Sequence, residues 1–421
     1  MLSEILLLSE ILSNIKLKYN SIIEWMFERL PMYQNSGNFN YKVDLDNIKN
    51  LSNHLGNPHH HFKTIHIAGT NGKGSTSHIL SSILQESGYK VGLYTSPHLK
   101  DFRERVKING SNIPEADIVE FVSSNKQYFE DNNLSFFEMT VGLAFDYFKN
   151  QKVDIAIIEV GMGGRLDSTN IISPELSIIT NIGLDHTKFL GTTLKDIAFE
   201  KAGIIKKDTP VIIGETQLEI SEVFKDKASE MGSKILYADQ QKKIKFLSDL
   251  EGSYQDKNIQ TVLCAIRELQ KSNWNIAEDA IKLGLSKVQL NTGFIGRWSV
   301  LGQSPLTICD TAHNKEGLSI VLEDIKSLNI PIMHFVIGFV NDKDIDLLIN
   351  LFPEKAHYYF CSPSILRGLD ANELKNKFRR KNRHGTVFSS VKDAFDKCKS
   401  IAKKDDFIYI GGSTFVVAEI I

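Results

Sequence analysis

The chain has 421 residues, of which 42% are hydrophobic and 24% charged, and a formal net charge of -2. This length is enough for two domains, and the composition excludes a disordered or fibrous protein. With no global basic field to attract nucleic acid, any phosphate must be bound by local groups, and an anionic ligand is expected to be small. Cys264, Cys309, Cys361 and Cys398 stand far apart without C-x-x-C spacing, which argues against a zinc site or a disulfide framework and for a reducing compartment, the cytoplasm.

The first element predicted is an amphipathic helix in MLSEILLLSEILSNIKLKYNSIIEWMFERL, with Ile5, Leu8, Ile11, Leu12 and Ile15 on one face. Glu4 and Glu10 argue against a signal peptide or a membrane span, and no later run is long enough to cross a bilayer. The histidines of 58-PHHHF-62 read as loop, because consecutive residues cannot all face one metal ion. Short β-branched runs then recur, each followed by glycine and a helical pattern: 64-TIHIAG-69, 91-VGLYTS-96, 154-DIAIIEVG-161, 176-LSIITNIG-183 and 210-PVIIG-214. Continuous apolar runs of this kind are buried parallel strands, so the first half reads as a doubly wound α/β domain with its functional residues at the strands' carboxyl ends. A helical stretch is predicted over 254–290, and the strands LTICD, MHFVIGF, AHYYFCS and DDFIYIGG follow. They predict a second, smaller α/β domain, giving a division into 1–291 and 292–421. The acidic loop 338-GFVNDKD-344 reads as a turn or domain contact.

The chemistry concentrates in a few loops. In 62-FKTIHIAGTNGKGSTSHILSSIL-84, a strand, a glycine loop and a helix predicted over Ser75–Leu84 follow one another, the context of a phosphate loop. Gly69, Gly72 and Gly74 let backbone N–H groups converge on phosphate oxygens, Lys73 adds a point charge, and Ser75 or Thr76 offers a hydroxyl. The spacing departs from G-x-x-x-x-G-K-[ST], since Gly69 is three positions before Gly72 and a glycine follows the lysine. Glu159 is a lone carboxylate closing a buried strand, which calls for a cation nearby; pairing with Arg165 is the structural alternative. Asp185 and His186 follow the next strand, and Lys201 on its own reads as a solvated helical residue. Asp310, His313 and Asn314 lie in a tight loop after a strand, suited to a base, a ribose, a substrate carboxylate or plain turn chemistry. Neither a G-x-S-x-G elbow nor a Cys-His pair supports acyl-enzyme chemistry.

In this order, HIAGTNGKGST, LYTSPHL, IEVGMGGRLDSTN, GLDHTKFLGTTLKDIAFEKAGIIK, CDTAHN and GGST closely resemble the folylpolyglutamate synthase and dihydrofolate synthase group of the Mur ligase superfamily, from about residue 20 to the C-terminus. The resemblance implies a P-loop ATP-binding domain and a smaller Rossmann-like domain with the active site between them. It also implies that ATP phosphorylates a substrate carboxylate and that L-glutamate attacks the acyl phosphate to form an amide. Gly69, Thr70, Asn71, Gly72, Lys73, Gly74, Ser75 and Thr76 would then hold phosphate. Ser96, Glu159 and His186 match magnesium ligands, and Lys201 matches a lysine carbamylated in family members, serving a second magnesium. Arg297, Asp310 and Asn258 are expected at the nucleotide, and His313 and Ser413 near the nucleotide and the incoming glutamate. The pattern departs from the family's at Ile295, Thr311 and Tyr254, which replace a proline, a glycine and a histidine. Ser135 and Phe137 of LSFFEMT, with Asp167, are expected near the pterin, and GGRLDSTN favours both synthase activities. The expected protein is a cytoplasmic monomer with small-molecule substrates and no nucleic-acid or membrane partner. The alternatives are folylpolyglutamate synthase activity alone, a peptidoglycan-precursor ligase, or a nucleotide-binding regulator that has lost turnover.

Overall fold

The computed structural model describes residues 2–29, 44–242, 244–341 and 344–421, with side chains in the first helix described from residue 15. Ile5, Leu8, Ile11 and Leu12 of the predicted amphipathic face, and Asp342 and Lys343 of the acidic loop, therefore lie outside the described side chains. Contacts divide the chain into two units, one of residues 1–182, 186–247 and 258–292, the other of 183–185, 248–257 and 293–421.

The first unit is built on a sheet of eight strands: β1 (Lys63–Ala68), β2 (Val91–Tyr94), β3 (Val106–Ile108), β4 (Ser111–Asn112), β5 (Ile155–Glu159), β6 (Leu176–Ile179), β7 (Val211–Ile213) and β8 (Ile235–Tyr237). They run in the order β4-β3-β2-β5-β1-β6-β7-β8. Only β3 and β4 are antiparallel to their neighbours. The five strands predicted from β-branched runs are the adjacent parallel strands β2, β5, β1, β6 and β7, buried along almost their whole length. β3, β4 and β8 escaped prediction because they are only two or three residues long; β4 is exposed at both residues.

Seven helices of this unit bear on the site: α1 (Leu2–Glu28), α2 (Asp46–His54), α3 (Lys73–Glu86), α4 (Glu115–Asp131), α5 (Phe136–Asn150), α6 (Thr187–Leu190) and α7 (Leu194–Ala202). The described part of α1 buries Tyr19 and Met26, and Phe27 stacks on Phe136 of α5 with ring centroids 5.1 Å apart. A 3-10 turn takes in Pro58–His60, and His59 Nδ1 lies 2.9 Å from Ser52 Oγ of α2, so the histidine run is indeed loop with one member tied locally. The helical stretch expected over 254–290 is three helices, Tyr254–Lys271, Glu278–Ser286 and Val288–Thr292. The first ends just before Asn273, whose φ of 66° is left-handed.

The second unit holds six strands: β9 (Ser299–Gln303), β10 (Leu306–Asp310), β11 (Met333–Ile337), β12 (His357–Phe360), β13 (Gly385–Val387) and β14 (Phe407–Gly411), ordered β13-β12-β11-β14-β10-β9. All pairs are parallel except β9 with β10. An aromatic cluster of Phe335, Phe352, Tyr358, Phe360, Phe378 and Tyr409 fills its core. All four cysteines are free and buried. Among the described residues no helix is long and apolar enough to cross a membrane.

The helix Glu278–Ser286 lies against α3 so closely that a Cβ on Gly284 would stand 2.5 Å from Ile83 Cα, and Ser82 Oγ donates to the Gly284 carbonyl at 2.6 Å. Since this contact seats α3, Gly284→Ala is expected to destabilise the protein by about 1–3 kcal/mol, the usual result of overpacking. Urea denaturation of the two proteins measures the difference.

Candidate active site

The phosphate-type loop is shaped by side chains that lie outside it. At Gly69, where φ is 147°, a Cβ would stand 1.8 Å from Thr180 Oγ1, so only glycine fits. Thr180 Oγ1 donates to the Asn71 carbonyl at 2.6 Å. The Thr70 N–H donates to the Asn181 carbonyl at 2.9 Å, and the Asn71 N–H to Asn181 Oδ1 at 3.0 Å. Asn181 is held in turn by Glu215, to which its amide donates at 3.0 Å. On the far side, a Cβ on Gly72 (φ 84°) would meet Asn258 Oδ1 at 2.4 Å. Asn258, expected at the adenine, thus has its side chain against the loop itself.

Helix α3 starts at Lys73, two residues earlier than the predicted Ser75, because left-handed Gly72 serves as its N-cap and Thr76 N–H closes the first turn on the Gly72 carbonyl at 2.9 Å. Gly72 brings no side chain to the cap, whereas Ser135 caps α5 and Thr193 caps α7. The first-turn N–H groups of Lys73, Gly74 and Ser75 have no intrahelical acceptor, which suits an anion. Lys73 Nζ donates to the Gly69 carbonyl at 3.1 Å and the Thr70 carbonyl at 3.4 Å. An ammonium has three donors, so one remains. Ser75 and Thr76 are buried, and Thr76 Oγ1 has no hydrogen-bond partner.

Glu159 closes β5 beside β1, with Ile67 as its partner in the register, so its carboxylate and the loop share one edge of the sheet. It is 4% exposed and accepts from the Ser96 N–H at 3.2 Å, which brings together two of the three expected magnesium ligands. Arg165 does not pair with it; its guanidinium binds Glu200 at 2.7 Å instead. A cation acting on Glu159 that sequence reasoning missed is Arg105, buried at the end of the 3-10 turn Phe102–Arg105 just before β3. Its Nε donates to His98 Nδ1 at 2.8 Å, and its guanidinium lies 5.1 Å from the Phe136 ring centroid. Burial, reinforced by Arg105, pulls the His98 pKa down to about 3. Nothing in FRERVK marks this arginine out from its charged neighbours.

After Glu159 the chain makes the loop Gly161–Asp167. Asp167 is buried; its carboxylate accepts from the Met162 N–H at 2.9 Å, the Thr169 N–H at 3.0 Å and the Thr169 hydroxyl. Burial raises its pKa against the pull of those hydrogen bonds. A Cβ on Gly161 would meet Phe137 Cζ at 2.4 Å and Asp167 Oδ2 at 3.2 Å, so two of the three expected pterin residues face one spot. The third, Ser135, caps α5 in a reciprocal box with Glu138, at 2.7 Å from the Ser135 N–H and 2.8 Å from its hydroxyl. The S-x-x-E spacing is a capping signal legible in sequence.

Lys201 is 5% exposed, which overturns its reading as a surface residue. The end of α7 that carries it is fastened to the loop after Glu159: Arg165 N–H donates to the Glu200 carbonyl at 2.7 Å, and a Cβ on Gly164 would lie 3.0 Å from the Lys201 carbonyl. His186 is the left-handed N-cap of α6. Among the described residues no three His, Cys, Asp or Glu gather into a metal cage. The oxygen donors of Glu159 and Ser96 fit magnesium all the same, since that ion is usually held by one or two protein oxygens plus waters and substrate phosphates.

In the second unit Asp310, expected at the nucleotide, is 1% exposed and organises its own loop. It accepts from Tyr254 Oη at 2.6 Å, Trp298 N–H at 2.8 Å and Ala312 N–H at 2.7 Å. The tyrosine that replaces a family histidine therefore has a structural role. His313 Nδ1 lies 3.0 Å from the Thr311 carbonyl, and its Nε2 lies 3.6 Å from Asp185. Ser413 is buried and caps the helix Thr414–Ala418. Arg297 is half-buried and acts electrostatically on Tyr254.

The Mur ligase middle domain matches residues 67–285, and the Mur ligase glutamate ligase domain matches residues 296–414. The dihydrofolate synthase/folylpolyglutamate synthase of Buchnera aphidicola is 35% identical over 84% of the chain and 87% of that protein. The chain belongs to the folylpolyglutamate synthase/dihydrofolate synthase group of the Mur ligase family. The Escherichia coli member of the group is 33% identical, over 84% of this chain and 85% of its own. A longer protein of Haloferax volcanii, named "Probable bifunctional folylpolyglutamate synthase/dihydropteroate synthase", is 33% identical over 90% of the chain, which spans 48% of its length. Two solved structures superpose with TM-scores of 0.82. "E.coli FolC in complex with DHPP and ADP" is 29% identical, with 95% of this chain and 96% of that one covered. A bifunctional folylpolyglutamate synthase/dihydrofolate synthase with Mn, AMPPNP and L-glutamate bound is 28% identical, at 95% and 97% coverage.

The Mur-type loop tolerates no Cβ at its first glycine. Gly69→Ala is expected to weaken binding of an ATP analogue at least tenfold, by displacing Thr180 from Asn71; calorimetric titration of the folded variant measures the loss.

Proposed function

We propose that this chain is an ATP-dependent ligase that adds L-glutamate to tetrahydrofolate or its polyglutamates and to 7,8-dihydropteroate, acting as a monomer in the cytoplasm. Residues 1–291 form its ATP-binding catalytic domain and 292–421 its glutamate ligase domain. The observation that carries this reading is the open N-terminus of α3 beside a buried carboxylate: the Gly69–Ser75 loop and Glu159 end adjacent strands of the sheet.

In the reaction a substrate carboxylate oxygen attacks the γ-phosphorus of ATP, ADP leaves, and an acyl phosphate forms. The amino group of glutamate then adds to the acyl carbon, loses a proton, and inorganic phosphate departs with the electrons of the C–O bond. The first step brings two anions together and spreads charge over the transferring oxygens. The N–H groups of Lys73, Gly74 and Ser75 and the spare donor of Lys73 Nζ offset that charge from fixed positions. Ser96, Glu159 and His186 would hold one magnesium, and a carbamate on Lys201, which turns a cation into an oxygen donor, would serve a second. Bound magnesium supplies neutralisation of phosphate charge. Phe137 and Asp167 receive the pterin, with Ser135 holding the start of α5. Arg297, Asn258 and the loop set by Asp310 serve the nucleotide, and His313 and Ser413 lie toward the incoming glutamate.

Phosphate release by the purified protein is expected to require ATP, glutamate and either dihydropteroate or tetrahydrofolate; release that ignores every folate, or that responds to UDP-linked muramyl substrates, overturns the assignment. Lys201→Ala is expected to keep ATP binding while turnover falls by at least a hundredfold, on the order of the loss of one transition-state electrostatic group. Native mass spectrometry of wild type after incubation with labelled bicarbonate should show a labile adduct on Lys201, and an unmodified, fully active lysine would exclude the carbamate.

A further inference from the structure

The inner strand β1 is apolar on its buried positions except at Thr64 and His66, and His66 is 0% exposed. A fully buried imidazole in a parallel strand loses the hydration of both ring nitrogens and needs a compensating role. His66 Nε2 lies 2.9 Å from Thr169 Oγ1, and the Thr169 hydroxyl reaches Asp167 Oδ1. Thr169 is itself 0% exposed, so the link from His66 to Thr169 is closed to water, while Asp167 at its end is 5% exposed.

The direction of that chain follows from the far side of the ring. His66 Nδ1 is buried without a partner. An orphaned N–H there would be worse than an orphaned lone pair, because buried donors go unpaired more rarely than acceptors. The proton therefore sits on Nε2, and His66 donates to Thr169 Oγ1. Burial, with Lys206 adding to it, pulls the His66 pKa to about 3, which keeps the ring neutral. With its oxygen accepting from His66, the Thr169 hydroxyl must donate to Asp167. The Thr169 N–H at 3.0 Å on Oδ1 and the Met162 N–H at 2.9 Å on Oδ2 complete the alignment. With no Cβ at Gly161, the Phe137 ring and Asp167 Oδ2 both pack against that one backbone position.

We infer that His66 is a positioning residue: through Thr169 it fixes Asp167 as a hydrogen-bond acceptor beside Phe137, selecting a planar heteroaromatic ring with N–H donors along one edge. This rests on the assignment of Phe137 and Asp167 to the pterin. His66 touches no substrate; its effect passes through one hydroxyl.

The test is steady-state kinetics on the full chain, with separate KM values for dihydropteroate, ATP and glutamate. Thr169→Val keeps the shape and removes the hydroxyl. It is expected to raise KM for dihydropteroate roughly fivefold to tenfold, the worth of one ordinary hydrogen bond. The other two KM values and kcat should stay put, and Thr169→Ser should restore the wild-type value. His66→Leu should show the same selective rise. The double variant should be no worse than either single, because both cut one chain. An unchanged dihydropteroate KM in folded Thr169→Val, a parallel rise in all three KM values, or additive effects in the double variant overturns the inference. If His66→Leu does not fold, the Thr169 pair still decides. Wild type that responds to neither dihydropteroate nor tetrahydrofolate would instead refute the functional assignment, and if only tetrahydrofolate is turned over, its KM is the one read in every variant.

Discussion

The site depends on a backbone kept open by side chains that crowd it. Thr180 and Asn258 press against Gly69 and Gly72 at distances no Cβ could tolerate. Hydrogen bonds from Thr180 and to Asn181 fix the loop between those glycines. The loop therefore need not reorganise to receive an anion: its N–H groups already point outward from the first turn of α3. Order that a flexible glycine loop would have to acquire on binding is here supplied by the end of β6.

Buried charge is the second organising theme. Glu159, Arg105, Lys201 and Asp167 are all buried within one unit, an arrangement a core built for stability alone would avoid. Their surroundings differ in kind. Asp167 is wrapped in hydrogen-bond donors, whereas Arg105 gives its Nε to a neutral histidine and lies over an aromatic ring. Low-dielectric surroundings strengthen each of these charges toward a ligand, which is where phosphate and carboxylate chemistry needs them.

Much of this was legible in the sequence, for identifiable reasons. Strands buried on both faces announce themselves as apolar runs, so the inner strands could be read, while β4, β8 and β13, partly or wholly exposed, could not. The loop glycines could be read because their spacing is local. The braces could not: Thr180 and Glu215 meet Asn71 and Asn181 across long stretches of chain, and nothing local distinguishes them from ordinary strand-end residues. Lys201 shows the reverse failure, since a lysine beside Glu200 in a helical stretch looks solvated until α7 is packed. Ser135 and Asp310 each hold the loop they stand in, a part the sequence did not reveal for Asp310 because turn and cap residues share the chemistry of binding residues.

The four cysteines give the protein an internal clock. Burial pushes the thiol pKa of Cys264 to about 11 and those of Cys309, Cys361 and Cys398 to about 12. Thiolate is the reactive form, so alkylation of the native state is suppressed twice over, by access and by ionisation. When alkylation outpaces reclosing, the rate at which each thiol becomes labelled is the rate at which its surroundings open. Cys264 lies in one unit and the other three in the second. An unmodified chain thus reports the opening kinetics of its two units separately, without an introduced probe.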